Sequence, residues 1–166
     1  MITPTWDNTK HLLDEYDGAA SEIFVTGLPL SQLPVVMAVL EDLPSLEVLS
    51  FGDDALESPE SFDPGWRSRF KSAPDRSSQH SLRSGNDAAH HLQIYLWVDA
   101  EAATLEVEFV FWNDLTLPKG LDAEERDRRL KALVSMADAC RTGLAGARCI
   151  LASEHNGPTA ELLETY

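Results

Sequence analysis

Glu106 and Glu108 are the residues of this 166-residue chain whose type and spacing come nearest to a catalytic pattern. Two positions apart on a strand, they share one face, and their carboxyls sit about 6–7 Å apart from the rise alone. Tyr95, Trp97 and Trp112 fall on the same face if Leu92–Trp112 folds as a hairpin. Paired carboxylates beside aromatic rings are what a glycosidase uses, at roughly 5–5.5 Å for retention and 6.5–9.5 Å for inversion. Acids at i, i+2 are also ordinary outward residues of an amphipathic strand, and nothing else in the chain suggests a sugar cleft. The competing use of these side chains is recognition. Each aromatic covers roughly 150–250 Å², so three left bare would match or exceed the largest apolar patch of a typical monomer. They must be covered, either by the segment 52–90, which carries Trp66 and Phe70, or by a partner.

Other constellations are weaker. His90 and His91 are adjacent rather than four apart, so their rings diverge in a helix or a strand. A metal site would need one of them to join Asp87 and His155, and solvated histidines at a loop-to-strand junction are the expectation. Asp53-Asp54-x-x-Glu57 lacks the alternating oxygen ligands and central glycine of a calcium loop. Asp53 and Asp54 enter instead as acids that a basic partner would meet. Cys140 and Cys149, the only cysteines, cannot complete a tetrahedral zinc site and read as buried free thiols in a reducing space. There is no nucleophile elbow, phosphate-cradling glycine loop or H-E-x-x-H pair. No metal and no cofactor are expected.

The elements that position the acids follow from periodicity. Pairing Val98 with Leu105 places Leu96 opposite Val107, Ile94 opposite Phe109 and Leu92 opposite Phe111, all apolar and all on one side of the pleat. The other side then carries Gln93, Tyr95, Trp97, Glu106, Glu108, Val110 and Trp112, and a one-residue slip would mix the two sets. Before the hairpin, a short helix is expected over Asn8–Tyr16 and a strand over Glu22–Thr26, ended by Gly27. A helix follows, capped by Ser31, with Leu33, Val36, Met37, Leu40 and Leu43 on one face and Pro44 closing it. A second strand is expected at Leu46–Phe51. Strand, helix and strand with short links read as a parallel βαβ unit.

Residues 52–90 show no sustained period and read as a long insertion. Within it, Asp63-Pro64 starts a short helix bearing Trp66 and Phe70 (a strand over Trp66–Lys71 fits almost as well), and Ser77–Asn86 is a polar loop. After the hairpin, Asp122 as N-cap and Glu125 at N3 open a long helix. Its apolar stripe is Leu130, Leu133, Val134, Ala137 and Cys140, and Gly143 stops it. A strand at Arg148–Ala152 and a terminal helix or tail at Thr159–Tyr166 complete the chain. The expected fold is a single α+β domain: a two-layer sandwich with a mixed sheet of about five strands and helices mainly on one face.

Charge narrows the partners. The net charge is −15, and residues 1–66 hold 13 acids against one base, Lys10. Such a surface repels a phosphate backbone and steers basic proteins, so no nucleic-acid partner is expected. No apolar run approaches the ~20 residues that span a bilayer, and the first residues lack a signal-peptide pattern, so the expected setting is cytoplasmic, with no membrane partner. This profile of a small, acidic, motif-poor domain with an aromatic-acidic face resembles bacterial immunity proteins, which neutralise cognate and often basic toxins. No diagnostic motif carries the resemblance, and no residue role transfers with it. The expected function is a non-enzymatic protein-binding domain, immunity- or antitoxin-like, acting as a monomer or homodimer on a basic partner such as a toxin. Its contacts would be Tyr95, Trp97, Glu106, Glu108, Trp112, Asp53 and Asp54. The alternatives are a small enzyme or ligand-binding protein built on Glu106 and Glu108, and a homo-oligomeric structural module.

Overall fold

In chain order the elements are α1 (Trp6–Leu13), β1 (Ala20–Pro29), α2 (Leu33–Glu41), β2 (Glu47–Phe51), β3 (Asp54–Ser61), α3 (Pro64–Lys71), β4 (Ser78–Ser84), β5 (Leu92–Asp99), β6 (Thr104–Trp112), α4 (Asn113–Thr116), α5 (Ala123–Ala139), β7 (Arg148–Ser153) and β8 (Ala160–Glu161). They come from a computed structural model that describes residues 4–13, 20–72, 77–85, 91–153 and 160–161. The fold is α+β. One sheet takes the order β3-β2-β4-β5-β6-β1-β7-β8, and every pairing in it is antiparallel.

The sheet therefore has eight strands, not about five, and is not mixed. The strands β1 and β2 do run the same way, but β4, β5 and β6 lie between them. The unit around α2 is a split βαβ with no parallel ladder. The segment 52–90 is not a structureless insertion, since its described part supplies β3, α3 and β4. Both strands are hard to read for a physical reason. In β4 the buried positions are filled by His80, Ser81, Ser84 and only one leucine, Leu82, so polarity does not alternate. Edge strand β3 is exposed over nearly its whole length and needs no apolar face. Ser78–Ser84 is thus strand rather than loop, and α3 rather than a strand carries Trp66 and Phe70, capped by Asp63, whose carboxylate accepts from the Trp66 N–H at 2.9 Å.

The hairpin has the register its alternation demands. Val98 faces Leu105, Leu96 faces Val107, Ile94 faces Phe109, and Leu92 faces Phe111. All eight side chains are buried, and they join Ile23, Val25, Val48, Leu82 and Leu151 from the neighbouring strands. The apolar residues of α2, α3 and α5 belong to the same core, including Val36, Met37 and Leu40, Trp66 and Phe70, and Leu130, Leu133, Val134 and Ala137. The strand β1 bends at a bulge between Val25 and Leu28. Gly27 occupies it with φ 75°, and a β-carbon there would lie 3.1 Å from the Gly146 carbonyl.

Helix ends vary in how they are closed. Asp122 caps α5 by accepting from the Glu125 N–H at 2.9 Å, and Gly143 beyond its end has φ 82°. Ser31 does not cap α2. A 3₁₀ turn at Leu30–Gln32 precedes that helix, and no side chain closes its N-terminus. Buried Gln32 instead reaches across the core, its amide donating to the carbonyls of Cys140 and Thr142 at 3.2 and 3.1 Å. The first helix covers Trp6–Leu13, and the rest of the helix expected to Tyr16 lies outside the described residues. At the other end Ala160–Glu161 is a strand where a helix or tail was expected, and residues 162–166 lie outside the described residues.

Candidate functional site

The face of the sheet opposite the core gathers the aromatic and acidic side chains. Because side chains alternate along each strand, the burial of Ile94, Leu96, Val107 and Phe109 forces Tyr95, Trp97, Glu106 and Glu108 outward. Trp97 lies opposite Glu106 and Tyr95 opposite Glu108. One cross-strand row runs Ser81, Tyr95, Glu108, Phe24, Ile150, and the next runs Arg83, Gln93, Val110, Glu22, Ala152. Glu22 and Phe24 thus join the face through β1. Their alternation with Ile23 and Val25 carries that signal, but only the pairing of β1 with β6 shows which face they share.

Trp66 and Phe70, the residues of segment 52–90 expected to cover the rings, do not do so. Trp66 and Phe70 pack on the core side of the sheet. Phe70 lies 5.1 Å from Phe51, 5.7 Å from Phe62 and 5.2 Å from His80, ring centre to ring centre. His80 pairs in register with buried Leu96, which fixes this cluster on the inner face. Trp97 and Trp112 consequently stay 43% and 42% exposed, while Tyr95, Glu106 and Glu108 are half-buried.

The face has two centres rather than one. Tyr95 and Trp97 lie 6.4 Å apart with their planes tilted by 36°, and the Trp97 indole donates to Glu108 at 3.2 Å. Trp112 is six residues along β6 from Glu106, which puts it about 20 Å away along the strand. There it borders a cavity of about 230 Å³ that Arg83, His91 and Gln93 also line. Asp53, in the turn between β2 and β3, and Asp54, which opens β3, are exposed at the Trp97 end of the sheet but separated from β5 by β2 and β4.

Electrostatics mark the first centre as short of positive charge. Partial burial and the neighbouring Glu108 carboxylate push the Glu106 carboxyl above its usual range. Partial burial, Glu108 and Glu22 likewise raise the Tyr95 phenol. A cation placed between these carboxylates would relieve the repulsion among them.

As a catalytic pair, Glu106 and Glu108 have the raised acid, but the cavities of about 420, 230 and 100 Å³ among the described residues are lined by other side chains. Comparison with protein families, curated proteins and solved structures gives no match. The geometry alone carries the functional reading. Asp87, His90 and His155 lie outside the described residues, and among those described no three His, Cys, Asp or Glu side chains are grouped to hold a metal. Cys140 and Cys149 are free and buried, and burial pushes their thiols up to about 12 and about 11. Neither is an available nucleophile. No described helix is long and apolar enough to cross a membrane.

Proposed function

We propose that this chain is a non-enzymatic protein-binding domain that meets a basic partner through the outer face of its sheet, as an immunity- or antitoxin-like inhibitor would. In this reading the fold is a two-layer arrangement: the helices cover the inner face, and the outer face is left for the partner. The carrying observation is that Trp97 stays 43% exposed beside Tyr95 and two carboxylates. Aromatic anchors ringed by acids are the composition of a hot spot aimed at a cationic side chain, since a guanidinium can stack on the ring while it pairs with the carboxylate. Asp53 and Asp54 would act at longer range, raising the rate of encounter rather than the strength of contact. The two buried free thiols support a reducing, cytoplasmic setting.

The test is binding to purified basic proteins encoded beside this one, followed by stopped-flow association at rising salt. The association rate should fall steeply with ionic strength, and Trp97→Ala should raise the dissociation rate. A partner whose association ignores salt, a partner indifferent to Trp97, or the lack of any basic partner would overturn the proposal.

A further inference from the structure

A second candidate site lies on the other side of the molecule, and its chemistry is the reverse of the first. Between α2 and α3 is a groove of about 420 Å³, within the range of small-molecule sites. Its floor is apolar, formed by Leu30, Leu33, Met37 and Ala38. Met37 and Leu33 are almost wholly buried, so these two anchor the apolar lining in the packed core, while Ala38 is exposed. The polar residues that line it are Ser31, Glu41, Arg67 and Lys71.

The rim charges decide what the groove can hold. Arg67 pairs with Glu41 across the two helices, which ties α3 to α2 and cancels both charges. Lys71 lies four residues on, on the same face of α3, and lines the groove as well. It is exposed and forms no ion pair with any described residue. The third base of α3, Arg69, is engaged elsewhere, over the rings of Trp66 and Phe51 at 4.2 and 4.8 Å. Among the described residues, the uncompensated charge bordering this apolar lining is therefore positive, that of Lys71.

We propose that the groove between α2 and α3 binds a small amphipathic anion, an alkyl or aryl carboxylate whose tail lies on Leu30, Leu33, Met37 and Ala38 and whose charge pairs with Lys71. The site does not depend on the outer face of the sheet. An apolar tail replaces water over the floor, and the carboxylate takes the ammonium of Lys71 as its counter-ion.

The experiment is a calorimetric titration of the full chain with decanoate, kept far below micelle formation, and with decanol as the uncharged control. One saturable equivalent of decanoate is expected, with decanol binding at least about tenfold more weakly, the effect of one charge-assisted contact. Lys71→Gln should weaken decanoate by about the same factor and leave decanol unchanged. Ala38→Trp, at an exposed position that need not disturb folding, should fill the groove and abolish both. Trp97→Ala should change nothing, which separates the groove from casual binding to exposed rings. No saturable binding, equal binding of decanol, or indifference to Ala38→Trp would overturn the proposal.

Discussion

The indole N–H of Trp97 donates to Glu108, its diagonal neighbour across the hairpin, although Glu106 stands directly opposite. Diagonal pairs lie within reach of long and aromatic side chains, so the ring leans along the strand toward Tyr95. The bond neutralises nothing, and it leaves Glu106 beside a like charge. Both carboxylates remain available to a cation presented over the rings.

The two sides of the hairpin should separate by assay. Trp97→Ala removes a ring that is 43% exposed and should leave the melting transition nearly unchanged. Truncating a central aromatic anchor should cost about 2 kcal/mol or more of partner binding. Phe109→Ala removes a ring with no exposure from the core and should cost about 3–5 kcal/mol of stability. Parallel thermal melts and affinity measurements decide it. A Trp97→Ala protein that unfolds as readily as Phe109→Ala would make Trp97 a core residue and remove the interface.

Glu106 should oppose folding while it serves binding. Its carboxyl titrates above the usual range, so the native state holds the proton more tightly than the unfolded chain does. This group therefore favours folding at pH values below the unfolded value and loses that contribution as pH rises through its folded value. At neutral pH the ionised group is a burden, and Glu106→Gln should hold or raise the melting temperature. The groups facing it are Glu108 on its own strand and Trp97 and Tyr95 on β5; on the β1 side it meets the bulge between Val25 and Leu28, where Thr26 pairs with Arg148 of β7. Partner affinity in the parent protein should fall on acidification through the raised value, and Glu106→Gln should lack that step. A variant that melts lower at neutral pH, with affinity unchanged, would contradict both halves.

The centre of this fold was legible because its pattern had one solution. Eight apolar residues at alternate positions left the β5–β6 hairpin a single register, and Asp122 followed by Glu125 left α5 a single start. The sheet's margin was not legible. His80 and Ser84 occupy inward positions in β4, where polarity conceals the period of two. In β3 exposure removes the need for any period. The packing of Trp66 and Phe70 was equally hidden, because an amphipathic helix declares that it has an apolar face, not which face of the sheet receives it. Tyr95, Trp97, Glu106 and Glu108 were visible as one face from alternation, whereas Glu22 and Phe24 joined it only through the non-local pairing of β1 with β6. Trp112 shares that face, but the strand rise places it too far from Trp97 to act as one anchor with it.

The cap of α5 offers a local test of the same reading. Asp122→Ala leaves the Glu125 N–H without its partner and removes a negative charge from the helix N-terminus. It should cost about 1 kcal/mol, with Asp122→Ser recovering most of it. Equilibrium urea unfolding with an unchanged slope is the measurement. A loss confined to Asp122→Ala marks the cap, and an equal loss in Asp122→Ser would place the effect elsewhere.

His80 should make the protein acid-sensitive well above the range of its carboxylates. Its Nδ1 accepts from the Gly52 N–H at 2.9 Å, so the neutral ring carries its proton on Nε2 and donates to the Ser78 hydroxyl, also at 2.9 Å. Phe51 and Phe70 pack against the ring at 4.5 and 5.2 Å between centres. A second proton would break the bond to Gly52 and place a charge against two aromatic rings on the core side of the sheet. Burial accordingly lowers the value from 6.5 to about 4. Between those limits the unfolded chain binds a proton that the native state refuses. The contribution is therefore full above about pH 6.5 and is lost as pH falls toward 4. His80→Asn keeps an acceptor for Gly52 but cannot titrate. Its stability should lie below that of the parent at pH 7, and the gap should narrow as pH falls from 6.5 to 4. Urea unfolding at half-unit pH intervals would show two curves converging toward acid. A gap of constant width would mean that His80 takes up its proton as readily in the native state as in the unfolded chain, and that its hydrogen bond to Gly52 is not the one described.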